Sequence, residues 1–252
     1  MVILLNTCAG NGVSDRPRIK ITVADIIVAI EDIMQGAHYF EYGDKETSWL
    51  RSRDRKFGEI IDEIGHIDRT VIPDIFIALI SSIVGQQISA KAMATVWSRM
   101  EERFDPLTPE HIHSVPVEEL QACGMTMRKA SYIKEIAESV VNGNLDLEQL
   151  RSMSDDEVCD RLVKIKGIGV WTAEMLMTFS LQRPDIMSID DLAILRGLRM
   201  LYRHKEITPA LFSKYKRRYS PYATVASLYL WAVAGGACLH LTDPAQKKRS
   251  DK

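Results

Sequence analysis

Two aspartates, Asp190 and Asp191, stand directly before an apolar run, Leu192, Leu195, Leu198 and Leu201, with helical spacing. The pair therefore opens a helix, where unpaired backbone N–H groups and the positive dipole end favour carboxylates. One carboxylate is enough for a cap. The second is not needed for capping and is free to point into a cleft. Upstream, residues 162–173 (LVKIKGIGVWTA) run from one helical pattern into another through Gly167-Ile168-Gly169. Two glycines so close let the backbone turn sharply and approach another surface without a Cβ between them. The N–H groups around Gly167, Ile168, Gly169 and Val170, with Thr172 in the first turn of the new helix, suit a phosphate. Ile168 would plug the turn into the body of the protein. A plain corner between two helices would carry the same Gly-x-Gly.

The elements that must position these residues read as helix after helix. Beyond Trp49, Ile60, Ile61 and Ile64 have helical spacing, and Phe76, Leu79, Ile80, Ile83 and Val84 form an apolar stripe. Gly85-Gln86-Gln87 interrupts it, and Ser89 is placed to cap a helix carrying Ala92, Val96 and Met100. Thr108-Pro109, Thr126, Thr208-Pro209 and Ser220-Pro221 mark further helix starts, and Ser154 with Glu157 has the form of a capping box. Asn142-Gly143 ends one helix, and a last long helix carries Val225, Leu228 and Trp231. No alternating strand pair with a hairpin turn is present, so the expected fold class is all-α.

At 252 residues the chain suffices for one large domain or two small ones sharing a cleft. With 46% hydrophobic and 26% charged residues it falls outside the disordered, collagenous and coiled-coil classes. The expected division is an N-terminal extension over 1–36, a two-lobed domain over 37–246 and a polar tail over 247–252. Residues 1–8 lack the basic region of a signal peptide, Val23–Ile33 has the pattern of a short helix, and Met34 is a second candidate first residue. Cys8, Cys123, Cys159 and Cys238 are scattered, without zinc or iron–sulfur spacing, and read as reduced thiols. His111/His113 and Cys238/His240 lack further ligands nearby. Net charge is −2, yet Arg196–Arg218 holds eight cations against Glu206 alone, a local +7. That segment fits either salt-dependent phosphate binding or a solvated helix face.

The combination of hairpin, spacer and aspartate resembles the helix-hairpin-helix DNA glycosylase superfamily. Asp191 lies twenty residues beyond Trp171 of G-I-G-V-W, and with Leu-Ala-Ile-Leu-Arg after it matches the catalytic acid; Asp190 matches its non-catalytic neighbour. Bifunctional relatives carry a nucleophilic lysine where this chain has Trp171, which implies a monofunctional enzyme of the 3-methyladenine (alkylbase) type. Similarity extends over about residues 38–236. Ile83–Ser89 resembles the segment that enters the duplex, with Gln87 as the intercalating side chain and Gln86 in support. Gly124–Tyr132 (GMTMRKASY) resembles a structural segment of the family. Residues 221–231 resemble its last helix, although Ala223 stands where relatives often have arginine. The resemblance implies a base pocket of Trp171 and Trp231, with Tyr229 either in it or in the core. It also implies a two-lobed fold with the active site in the cleft between lobes.

A target base lies inside the stack, so the nucleotide must be rotated out. A cationic alkylpurine is already a good leaving group, and aromatic faces favour it by about 0.5–2 kcal/mol. The resemblance implies no cofactor apart from a structural Na+ or K+ held by the carbonyls of Val163, Ile165 and Ile168. The implied partner is double-stranded DNA with a damaged base, with no membrane association and a monomeric enzyme, in the nucleoid of a prokaryote or the nucleus of a eukaryote. A related glycosylase for oxidised or deaminated bases, and a non-catalytic DNA-binding module, remain alternatives.

Overall fold

The computed structural model describes residues 3–4, 20–21 and 38–245. The expected helix over Val23–Ile33, the candidate start at Met34 and the tail over 247–252 lie outside the described residues. Thirteen helices dominate the described chain, in agreement with the all-α expectation. Four two-residue strands fall outside that expectation: β1 (Ile3–Leu4), β2 (Lys20–Ile21), β3 (His38–Tyr39) and β4 (Thr70–Val71). Ile3 of β1 faces Ile21 of β2 in an antiparallel pair. Two residues cannot display the alternation by which a strand is recognised in sequence. No helix among the described residues is long and apolar enough to cross a membrane.

The chain forms two compact units, one containing residues 70–181, the other assembled from 39–69 and the segment beyond 182. The second unit begins with α1 (Asp44–Arg53) and α2 (Arg55–Ile64). Helical structure thus starts ahead of Trp49, and Asp54 separates the two helices by capping α2 through the N–H of Phe57.

The other unit then takes eight helices. In α3 (Ile75–Val84) all ten residues are buried rather than one stripe, as expected for a helix apolar on every side. Asp74 caps it, accepting from Ile77 N at 2.9 Å. Ser89 caps α4 (Ala90–Phe104), and Thr108 caps α5 (Pro109–Ser114) with proline in its first turn. After the short α6 (Val117–Ala122), Thr126 caps α7 (Met127–Val141), which stops at Asn142-Gly143. The single turn of α8 (Gln149–Ser152) leads to α9 (Asp155–Leu162), opened by the capping box of Ser154 and Glu157. The hairpin turn follows, then α10 (Val170–Phe179). Helix α3 packs against both α7 and α10, so the loop after α3 and the hairpin before α10 share one support.

The second unit resumes with α11 (Leu192–Tyr202), α12 (Pro209–Tyr219) and α13 (Ala223–Gly235). Helices α11 and α13 make its most extensive contact. Gly197 of α11 lies so close to α13 that an added Cβ would stand 2.4 Å from the carbonyl oxygen of Leu230. Phe57 fills the space beneath, its ring 4.6 Å from that of Tyr219 and 6.2 Å from that of Tyr229.

Sequence and structure differ at the start of α13. Ser220-Pro221 reads as a cap followed by proline, yet the helix begins at Ala223. The Ser220 hydroxyl donates instead to Asp185 at 2.6 Å, and the other oxygen of Asp185 accepts from Ala223 N at 3.1 Å. The loop at 182–186 thereby caps the helix from a distance. Thr224 N donates to Pro184 O, and Ile186 N to the Thr224 hydroxyl.

Candidate functional site

The hairpin is held by a few defined contacts. Ile165 N donates to Leu162 O at 3.0 Å and Ile168 N to Ile165 O at 3.1 Å, which tightens the turn. Gly167 has φ +89°, in the left-handed region that glycine adopts without strain. Its missing Cβ makes room for Tyr132, whose ring would lie 2.7 Å from one. Ile168 is 4% exposed and serves as the plug the sequence indicates. Gly169 and Val170 are exposed, with nothing within 4 Å of a Cβ on Gly169. Gly169 also lends no side chain to the first N–H groups of α10. The outer surface of the turn is thus backbone with open space before it, the arrangement that phosphate recognition by amides requires. Val163 is 36% exposed and Ile165 half-buried.

The Gln86-Gln87 loop is tied to this turn within the same unit. Gln86 Nε2 donates to Gly167 O at 2.7 Å, so Gln86 bonds the hairpin directly. Gln87 is exposed, with φ +59°, an uncommon conformation for a residue with a side chain. Lys129 Nζ donates to Val84 O at 2.8 Å and Gln86 O at 2.5 Å. Burial, and to a lesser degree the neighbouring Arg128, lowers its pKa. The GMTMRKASY segment, structural by resemblance alone, acquires a reason: its lysine holds the loop and its tyrosine backs the hairpin.

Asp191 is 3% exposed and is the N-cap of α11. Its Oδ1 accepts from both Ala193 N and Ile194 N at 2.9 Å. The sequence suggests that capping and chemistry are divided between the two aspartates. The structure corrects that division, because Asp190 is exposed and the cap falls to Asp191 itself. With Oδ1 fixed by two donors, the whole carboxylate is held in one orientation.

The three pocket aromatics differ in placement. Trp171, in the first turn of α10, and Trp231, in α13, are half-buried. Tyr229 is 1% exposed, donates its hydroxyl to Gly65 O at 2.9 Å and sets its ring edge-on to Tyr42. Tyr229 is thus packed among core side chains, whereas Trp171 and Trp231 keep part of their surface exposed. Tyr229 and Trp231 are two residues apart, about 200° around a helix, so they face nearly opposite sides.

The basic segment Arg196–Arg218 proves less available than its count indicates. Arg199 makes a two-pronged pair with Asp243, at 3.0 and 2.7 Å, and Arg196 Nε approaches the same carboxylate at 3.9 Å, an ion pair without a hydrogen bond. The hydrogen bond from Arg199 holds the Asp243 carboxyl below its ordinary pKa. Arg203 donates to the Thr242 hydroxyl. Arg218 pairs with the buried Asp54, which also accepts from Tyr202 at 2.9 Å. Burial pushes the Tyr202 and Tyr219 hydroxyls far upward, so both stay protonated, and they lie 2.5 Å apart. Lys205, Lys214 and Arg217 remain exposed. Cys123, Cys159 and Cys238 are free thiols raised by burial, Cys238 to about 11 with Glu63 adding to the effect.

The chain matches the family described as "HhH-GPD superfamily base excision DNA repair protein" over residues 80–220. DNA-3-methyladenine glycosylase 1 of Schizosaccharomyces pombe is 36% identical over 178 residues, which are 68% of this chain and 76% of that protein. The crystal structure of a DNA-3-methyladenine glycosidase from Bacillus halodurans aligns with a TM-score of 0.71 and 35% identity, covering 80% of this chain and 93% of that one. A 3-methyladenine DNA glycosylase of S. pombe, in complex with abasic DNA, aligns with a TM-score of 0.66 and 33% identity over 75% of this chain and 96% of the other.

Proposed function

Since this chain belongs to the HhH-GPD superfamily of base excision DNA repair proteins, we propose that it is a DNA glycosylase that releases alkylated purines of the 3-methyladenine type and leaves an abasic site. The observation that carries the chemistry is Asp191: a carboxylate 3% exposed, with one oxygen immobilised by two backbone N–H groups.

The duplex is gripped through the amides of Gly167, Gly169 and Val170, with Thr172 beside them and Ile168 N committed to Ile165 O inside the turn, while Gln87 occupies the gap left by the extruded nucleotide. Trp171 and Trp231 offer aromatic faces to a cationic base. As the N-glycosidic bond breaks, its electron pair leaves with the purine and positive charge develops on the sugar. The Asp191 carboxylate stabilises that charge electrostatically, orients the water that adds to the anomeric carbon and takes up the proton that this water loses. The methylated purine departs with little protonation, so no strong general acid is required. Trp171 holds the position of the lyase lysine in bifunctional relatives and has no amine. No Schiff base forms there, and the strand stays intact after base release.

The enzyme acts on damaged double-stranded DNA as a monomer, through the two-lobed domain over 37–246, and needs no cofactor. A monovalent cation would fit the hairpin carbonyls of Val163, Ile165 and Ile168. They are neutral oxygens, suited to replacing a hydration shell, and the Ile165 carbonyl, which accepts from Ile168 N, has a second lone pair to offer. Such an ion would stiffen the turn.

The test is release of free base from a methylated duplex by wild type and by Asp191→Asn. Asparagine keeps an oxygen for the two N–H groups, so folding and DNA binding are expected to survive while release is abolished. Unchanged release would end the proposed mechanism. Release of oxidised or deaminated bases instead would change the substrate class, and binding without release of any base would leave a non-catalytic module. Borohydride is expected to trap no enzyme–DNA adduct; a trapped species would mean that another amine replaces the lysine.

A further inference from the structure

One face of α7 touches both parts of the unit that the proposed function assigns to DNA. Lys129 and Tyr132 are three residues apart, hence neighbours on a helix surface. Lys129 Nζ holds the carbonyls of Val84 and Gln86, while the Tyr132 ring lies beneath Gly167 where a Cβ would otherwise stand. Between these contacts the Gln86 side chain crosses to Gly167 O at 2.7 Å. The neighbouring Gln87 is exposed and sits at φ +59°, a conformation that persists only where its surroundings over-determine it. Val84 ends α3, and an ammonium group there satisfies a terminal carbonyl and complements the negative helix end.

We infer that Gln86 and Lys129 are positioning residues that hold Gln87 at a set distance from the Gly167 turn, so that gripping the backbone and filling the vacated stack are one concerted event. Both side chains are committed to backbone carbonyls of this unit. Gln86 has a defined task in its own right, apart from Gln87: its amide bridges loop and hairpin. The inference rests on the function proposed above only in taking Gln87 as the plug and the Gly167 turn as the grip.

The consequence is selective. A plug matters when the target must be drawn out of a paired stack and matters little when the target is already unpaired, because extrusion then costs less. The experiment measures single-turnover release of 7-methylguanine from an oligonucleotide in which it is either fully paired or within an unpaired bubble. Wild type, Gln86→Leu, Lys129→Met, Gln87→Ala and the double variant Gln86→Leu/Gln87→Ala are compared. Gln86→Leu and Lys129→Met are expected to slow release from the paired site about three- to tenfold, the scale of one hydrogen bond. The bubble should restore them to within about twofold of wild type. The double variant is expected to be no slower than Gln87→Ala, because residues acting through one another are not additive.

Equal losses on both substrates, no loss on either, or additive losses in the double variant would each overturn the inference; a general loss of folding gives the first of these patterns. Should wild type release no base at all, the functional reading fails by itself. The positioning is then read from the fluorescence of 2-aminopurine at the target site, which unstacking raises. The inference predicts a smaller rise with Gln86→Leu than with wild type at saturating protein, and an equal rise would refute it.

Discussion

The hairpin and the Arg196–Arg218 segment both look like nucleic-acid contacts in the sequence, and the structure separates them. The hairpin carries little charge, and Lys166 is paired with Glu135 at 3.0 Å. Its resource is backbone: exposed Gly169 and Val170, open space before them and a turn held from behind by Ile168, Tyr132 and Gln86. The basic segment has eight cations, but Arg196, Arg199 and Arg218 are directed at two buried carboxylates, Asp243 and Asp54, each 8% exposed. Charge counted along a sequence measures supply without regard to internal demand. The glycine turn spends only part of its backbone internally, Ile168 N on Ile165 O and Gly167 O on Gln86, and leaves Gly169 and Val170 exposed.

Asp54→Ala puts this difference to its most severe test. The substitution strips Arg218 and Tyr202 of their partner and removes the cap of α2. A loss of about 3–5 kcal/mol is expected from urea unfolding, typical of breaking a buried pair by removing one member. DNA affinity of the folded fraction should be unchanged, and an affinity loss without a stability loss would show that Arg218 serves DNA after all. The largest effect on DNA affinity is expected of Gly167→Ala. It forces a side chain into a left-handed conformation and against Tyr132, at about 1–2 kcal/mol or more, and a fall of about tenfold in duplex affinity is expected in a gel-shift titration. Full affinity would mean that the turn is a simple corner.

Substitutions within the basic segment sharpen the contrast. Arg199→Met is expected to cost about 1.5–3 kcal/mol of stability, as for a hydrogen bond to a charged group, with no change in the dependence of affinity on salt. Lys214→Ala or Arg217→Ala should do the reverse: stability within about 0.5 kcal/mol of wild type, and a salt slope shallower by up to about one unit for each phosphate no longer neutralised. The smallest effect is that of pH. Because Arg199 depresses the folded-state pKa of Asp243, the contribution of this pair is present above the ordinary carboxylate range and fades as pH falls through it to the depressed value. Arg199→Met should flatten that part of the acid limb in a series of unfolding curves.

Much of the architecture is legible because its signals are local. Ser89, Thr108, Thr126, Ser154 and Thr208 are all N-caps, each accepting from the N–H three residues on. The Gly-Ile-Gly turn announces itself through residue type in the same way. What escapes the sequence joins distant positions. Asp185 caps α13 from 38 residues away, Asp243 reaches Arg199 across 44, and Lys129 reaches Val84 across 45. Each exists only once the helices have packed. Tyr229 and Trp231 show the same boundary within one helix: a helical pattern says that they diverge, and only packing against Tyr42 and Phe57 says which of them is inside.

Gly197 has a consequence for how variants of this protein are to be interpreted. It lies six residues along α11 from Asp191, about 9 Å at 1.5 Å per residue. Any side chain there must push the helix off the Leu230 carbonyl, and a rigid rod displaced at one point is displaced at its tip. A hunt for inactive mutants would therefore return Gly197 beside Asp191, and what looked like a second reactant would be a spacer whose virtue is to be nothing at all.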